Sequence, residues 1–179
     1  MTARAVPVAE AAFRQAMRAW ATGVAVLLVP DDGNWVGMTV NAVASVSLDP
    51  PSVLVVVGHG RAVHEALVPP HGQVFTLSVL ARRQASVADR FSRHAVRRLH
   101  TPDADWTAAG HPVVRGALGW LDCQVAAAHD AGDHTIVVAQ VKAGGAAGLD
   151  GTADPLLFWA GRYHGGSEWG LPPRRDPAE

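Results

Sequence analysis

The chain has 179 residues, 49% hydrophobic and 17% charged, with a formal net charge of −1. That composition describes one globular domain with a real core and excludes an intrinsically disordered chain. The near-zero charge argues against nucleic acid or a membrane surface as partner, and the single cysteine, Cys123, excludes an internal disulfide.

In chain order, the opening residues MTARAVPVAEAAF lack the continuous apolar segment of a secretory signal. No run approaches the ~18 apolar residues of a membrane span, so a cytoplasmic protein is expected. Phe13, Met17 and Trp20 then recur at helical spacing. VAVLLV reads as a short strand and PDDGN as a turn. From Val36 to Leu48 every even position is apolar, while the odd ones are Gly37, Thr39, Asn41, Val43, Ser45 and Ser47. Period-two alternation predicts a strand with one face in a core. The other face is small and neutral where a solvent face would carry charge. A straight strand of that length would span about 43 Å at roughly 3.3 Å per residue, so a bend is expected near Asn41 to Ala44.

PPSVLVVVG predicts a second strand, GRAVHEALVPP a short helix, and GQVFTLSVL a third strand. ARRQASVADRFSRHAVRRL predicts an amphipathic helix with Val87, Phe91 and Val96 inward. Residues 101 to 116 read as loop. ALGWLDCQVAAAHD, DHTIVVAQVKAG and PLLFWAGRYHG read as three more strands, and LPPRRDPAE as a disordered tail over about 170–179. About seven short strands with two or three helices predict a mostly β fold, a closed antiparallel barrel with helical decorations. One domain is expected over 1–179, with its core at about 12–165.

Chemical motifs are sparse. Neither GxGxxG after a first strand, nor GxxxxGK[ST], nor GxSxG occurs. His59 and His64 stand five apart, as do His129 and His134; neither pair has the helical zinc spacing, HExxH is absent, and no metal site is expected. Cys123 lies in an apolar run and reads as a buried, inert thiol. His134 follows a Gly132–Asp133 turn and opens an apolar strand. Local chemistry leaves two readings of it: a cap on the strand end, or a hydrogen-bonding group aimed into a cleft at the barrel rim.

The blocks FRQAMRAWATGVAVLLV, GMTVNAVASVSLDPPSVLVVV, FTLSVLARRQASVADRF, GALGWLDCQV, GDHTIVVAQV and PLLFWAGRYH occur in this order. Together they resemble the flavin reductase-like family, from about Phe13 to His164. The resemblance implies an FMN-binding split barrel, Greek-key-like and antiparallel, in a homodimer. It also implies hydride transfer from NADH or NADPH to FMN or FAD, often to supply a separate monooxygenase. By the same resemblance Thr39, Val40, Asn41, Ser45, Val46 and Ser47 hold the flavin, and His134 orients the nicotinamide and is the candidate catalytic residue. The family's phosphate loop is of the type Asn-x-Ser-Ser-x-Thr, whereas this chain has GHGRAV, without hydroxyls. Gly60, Arg61 and Ala62 are the candidates to hold the phosphate instead, with His59 a further source of charge. The alternative reading is a non-catalytic split-barrel protein with weakened flavin binding, acting as a partner or carrier subunit.

Overall fold

The run VAVLLV is apolar at every position because the strand it forms is buried on both faces. The computed structural model describes residues 9–68, 73–93, 97–99, 101–147 and 153–165. In it, helix α1 (Glu10–Met17) and the short strand β1 (Thr22–Gly23) lead into that strand, β2 (Ala25–Asp31). Ala25, Leu27 and Val29 enter one core, while Val26 and Leu28, with the preceding Val24, enter another. A turn with Asp32 and Gly33 at positive φ (46° and 73°) returns the chain as β3 (Asn34–Val40). The predicted bend follows at once: the chain leaves the ladder at Asn41 and Ala42 and resumes as β4 (Val43–Leu48). Then come β5 (Pro51–Gly58), α2 (Ala62–Leu67), β6 (Val74–Val79), α3 (Ala85–Ser92), β7 (Arg97–Arg98), β8 (Ala104–Trp106) and β9 (Pro112–Val114). The long hairpin β10 (Gly119–Ala131) and β11 (His134–Ala146) precedes β12 (Leu156–Trp159) and β13 (Arg162–Gly165).

One antiparallel sheet runs β4-β5-β11-β10-β6-β2-β3-β7. It is rolled: Leu27, Val36, Val55, Phe75, Cys123 and Val137, from six of its strands, meet in a single cluster, with Val63 and Leu67 of α2 packed among them. Among the described residues, edge strands β4 and β7 do not pair with each other. The barrel is split there, as the family resemblance implies, where strand count alone suggested closure. Outside it, Ala88 and Phe91 of α3, Val114 of β9 and Leu156 of β12 cover the second face of β2. Thr76 and Ser78, both fully buried, join this layer to β6. The Thr76 hydroxyl donates to the Pro112 carbonyl at 2.7 Å, and the Val114 amide donates to Ser78 Oγ at 2.9 Å. Burial holds the Cys123 thiol neutral, with its pKa pushed up to about 12, as an inert core group.

Several sequence expectations are corrected. Residues 101 to 116 are not all loop, since they hold the β8–β9 hairpin. PLLFWAGRYHG is two strands, β12 and β13, turned at Ala160 and Gly161, which sit at positive φ. The helix near residue 82 begins as a 3₁₀ turn over Arg82–Gln84, with the Ala81 amide donating to Gln84 Oε1 at 2.9 Å. Val87 and Phe91 face inward as expected, though toward the outer layer rather than the barrel; Val96 and the tail from 170 lie outside the described residues. The apolar stripe of α1 buries nothing: Phe13, Met17 and Trp20 remain 56%, 49% and 69% exposed. The alternation from Val36 enters the core only as far as Val40. On β4, Val46 and Leu48 are exposed, Leu48 at 93%, because among the described residues this edge strand has β5 on one side and no layer over its apolar face. Among the described residues, no helix is long and apolar enough to cross a membrane.

Candidate functional site

Strand pairing brings the ends of β5 and β11 together, with Gly58 opposite His134 and Val57 opposite Thr135. The His59 amide donates to the Asp133 carbonyl at 3.0 Å, which ties the loop after β5 to the turn before β11. Gly58, His59, Gly60, Arg61 and His134, with Met38 of β3, line a cleft of about 400 Å³, within the range of small-molecule sites. Two glycines make the wall thin. A Cβ on Gly58 would stand 3.4 Å from His134 Nε2, so the imidazole lies over the glycine. Gly60 has φ +70°, a left-handed geometry that a side chain would strain.

Charge is concentrated on this wall. His134 Nδ1 and Asp133 Oδ1 are 2.7 Å apart, and the hydrogen bond from His134 holds the Asp133 carboxyl below its usual range. The Arg61 guanidinium donates through Nη2 to the carbonyl of Ser92, the last residue of α3, at 3.2 Å. Behind the wall, Thr135 is 1% exposed. Its hydroxyl meets His59 Nε2 at 3.1 Å and His64 Nε2 at 2.9 Å, and the two rings are 4.8 Å apart. Burial, then the neighbouring His59, pushes the His64 pKa down.

The structure thus gathers His134, Gly60 and Arg61 at one cleft, with Ala62 following as the first residue of α2. The other candidates fall differently. Thr39 Oγ1 donates to the Ala88 carbonyl of α3 at 2.6 Å, and a Cβ on neighbouring Gly37 would collide with Leu28 and Phe91. The odd face of β3 is therefore small because α3 lies on it. Val40 is 4% exposed, so only its backbone is available to a ligand. The Asn41 amide donates to Thr22 Oγ1 at 3.2 Å. Ser45, Val46 and Ser47 lie on β4 outside the cleft lining, where a register irregularity interrupts pairing with β5 and Ser47 Oγ bonds the backbone of Asp49. Sequence reasoning missed Met38 in the cleft lining, and His64 and Thr135 behind it. The five-residue spacing of His59 and His64 was visible; only the pairing with β11 shows that one hydroxyl lies between them.

A larger hollow of about 490 Å³ lies along α3, lined by Val87, Arg90, Asp103 and Arg115 among others. Its arginines are engaged, Arg90 with Asp103 at 3.1 Å and Arg115 with Asp105 at 3.0 Å. The cleft at His134 has the thinner backbone wall and the convergent ring nitrogens, so we take it as the site.

A split antiparallel barrel with a glycine-walled, cationic cleft at a strand end is a small-molecule binding fold. Residues 17–167 match the flavin reductase like domain, and the chain belongs to that family. It is 40% identical over 163 residues to the NADH-dependent flavin reductase StyB of Pseudomonas fluorescens, covering 90% of this chain and 92% of that one. It is 41% identical over 151 residues to the FMN reductase (NADH) SmoA of Agrobacterium fabrum, covering 84% and 83%. The solved styrene monooxygenase flavin reductase SMOB of Pseudomonas putida S12 shares the fold at a TM-score of 0.74 and 39% identity, over 86% of this chain and 96% of that one.

Proposed function

We propose that this chain is an NADH-dependent flavin reductase which binds FMN or FAD at the His134 cleft and releases reduced flavin to a separate monooxygenase. The observation that carries the reading is the meeting of the GHGR loop and His134 at one thin-walled cleft, in a chain closely similar to named NADH-dependent flavin reductases. The cleft fits a flavin in kind. Met38 supplies an apolar contact, Gly58 and Gly60 permit close backbone approach, and Arg61 supplies positive charge for a phosphate, with His59 beside it on the loop. When bound, flavin accepts the hydride that the nicotinamide gives up, a step that needs no protein nucleophile. The chain's own work is to bind both molecules, hold them in register and exclude water. A cytoplasmic site of action fits the lone, buried thiol.

His134, with Asp133 on its Nδ1, is held over Gly58, where Nε2 is available to orient a nicotinamide. His134→Ala should raise the KM for NADH or lower kcat by about five- to tenfold, the cost of one hydrogen bond to a ligand, while FMN affinity stays within about threefold. Unchanged kinetics in a steady-state assay would return His134 to a strand-end role.

The uncovered apolar residues support a homodimer. Phe13, Met17 and Trp20 of the α1 region and Val46 and Leu48 of β4 are too large a set to be left to water. α1 is itself anchored, since Ala160 N donates to the Arg18 carbonyl and Trp159 Nε1 to the Ala19 carbonyl. An obligate dimer should bury roughly 2,000 Å² or more. Leu48→Asp should move the protein toward monomer in sedimentation at micromolar concentration; a wild type already monomeric there would contradict the assembly.

A further inference from the structure

One buried hydroxyl touches two imidazoles at the back of the cleft wall, and neither His64 nor Thr135 lines the cleft itself. Thr135 has a single hydroxyl proton, so it can donate to only one ring. Both contacts, 2.9 Å to His64 and 3.1 Å to His59, are within hydrogen-bond range, so a hydroxyl that donates to one ring must accept from the other. Resting on the flavin reading of the cleft, we propose that Thr135 is a positioning residue for the cofactor's phosphate. Its hydroxyl donates to His64 Nε2, which obliges His59 to donate its own Nε2–H to Thr135.

With its Nε2 committed to Thr135, the His59 ring is held in place on the loop that lines the cleft, beside Arg61. The depressed pKa of His64 agrees with this division, since the deeper ring stays neutral and accepts. The other charged groups around the pair are Glu65 beside His64 on α2, Asp130 on β10, Asp133 and His134 at the start of β11, and Arg61 on the loop. In this chain, two residues behind the wall do what loop hydroxyls would otherwise do at its surface.

The test titrates wild type, Thr135→Val and Thr135→Ser with FMN and with riboflavin, which lacks the phosphate. Thr135→Val keeps the shape and loses the hydroxyl. It should weaken FMN about five- to tenfold and leave riboflavin within about twofold, and Thr135→Ser should restore FMN binding. Equal weakening of both flavins, or an unchanged FMN affinity in Thr135→Val, overturns the inference and leaves the reductase reading intact. Wild type that binds neither flavin overturns both. Should Thr135→Val fail to fold, imidazole nitrogen NMR on the wild type decides: Nε2 protonated on His59 and bare on His64 is expected, and any other assignment overturns the inference.

Discussion

Arg61→Ala should weaken FMN or FAD binding by roughly tenfold to a hundredfold, leave riboflavin nearly unchanged, and make the remaining binding less sensitive to salt. A phosphate ester carries close to two negative charges near neutral pH, and a guanidinium can grip it with two parallel N–H donors. Charge-assisted bonds of this kind contribute about 1.5–3 kcal/mol each. Arg61 lines the cleft, directly before α2, beside Gly60 with its left-handed φ of 70°. The structure also gives it a competing task, because Nη2 reaches the Ser92 carbonyl at the end of α3. A latch between α2 and α3 would hold the cleft open for any flavin, with or without a phosphate. The comparison of FMN with riboflavin separates the two roles: equal losses for both ligands would make Arg61 a latch and remove it from the phosphate site.

Phe91→Ala should cost about 3–5 kcal/mol of stability, the range for truncating a fully buried aromatic residue. In a chain of this size that lowers Tm by roughly 6–20 °C. The ring is completely buried against Gly37 of β3 and Leu28 of β2, where the absence of a side chain at Gly37 lets α3 lie directly on the sheet. Ala88, one turn earlier, takes the Thr39 hydrogen bond, so the same helix is fixed by packing and by a side chain from the strand beneath it. Because α3 also supplies the Ser92 carbonyl to Arg61, the truncation should weaken flavin binding as well. A melting scan showing a shift under about 2 °C would mean that the outer layer carries little of the stability.

The barrel strands were legible because their residues declare burial locally. VAVLLV is apolar on both parities and is buried on both faces, and SVLVVVG and HTIVVAQV are apolar runs of strand length whose burial alternates along the chain. The cleft was half legible. GHGR and GDH stand out as glycine- and charge-bearing breaks, but nothing in the chain order says that Gly58 pairs with His134; that is a long-range register between β5 and β11. The second role of Thr39, its bond to α3, was hidden for a similar reason. A small neutral strand face is what a ligand needs and equally what a close-packed helix needs, and period-two alternation cannot tell them apart. β4 misled in the opposite direction. Its apolar parity is real, but among the described residues no layer covers Val46 and Leu48, so a pattern that reads as core is exposed.

The central claim is hydride transfer from NADH to a flavin at this cleft, and single-turnover absorbance under anaerobic conditions tests it most directly. The protein is mixed with FMN and with NADH, and then crossed with FAD and with NADPH. The account predicts that nicotinamide and flavin absorbances are lost together, one for one, at a rate that depends on the protein and slows when NADH carries deuterium at the transferred position. Flavin that binds the protein and is reduced no faster than in its absence would contradict it, and would leave the alternative of a flavin-binding carrier without catalysis.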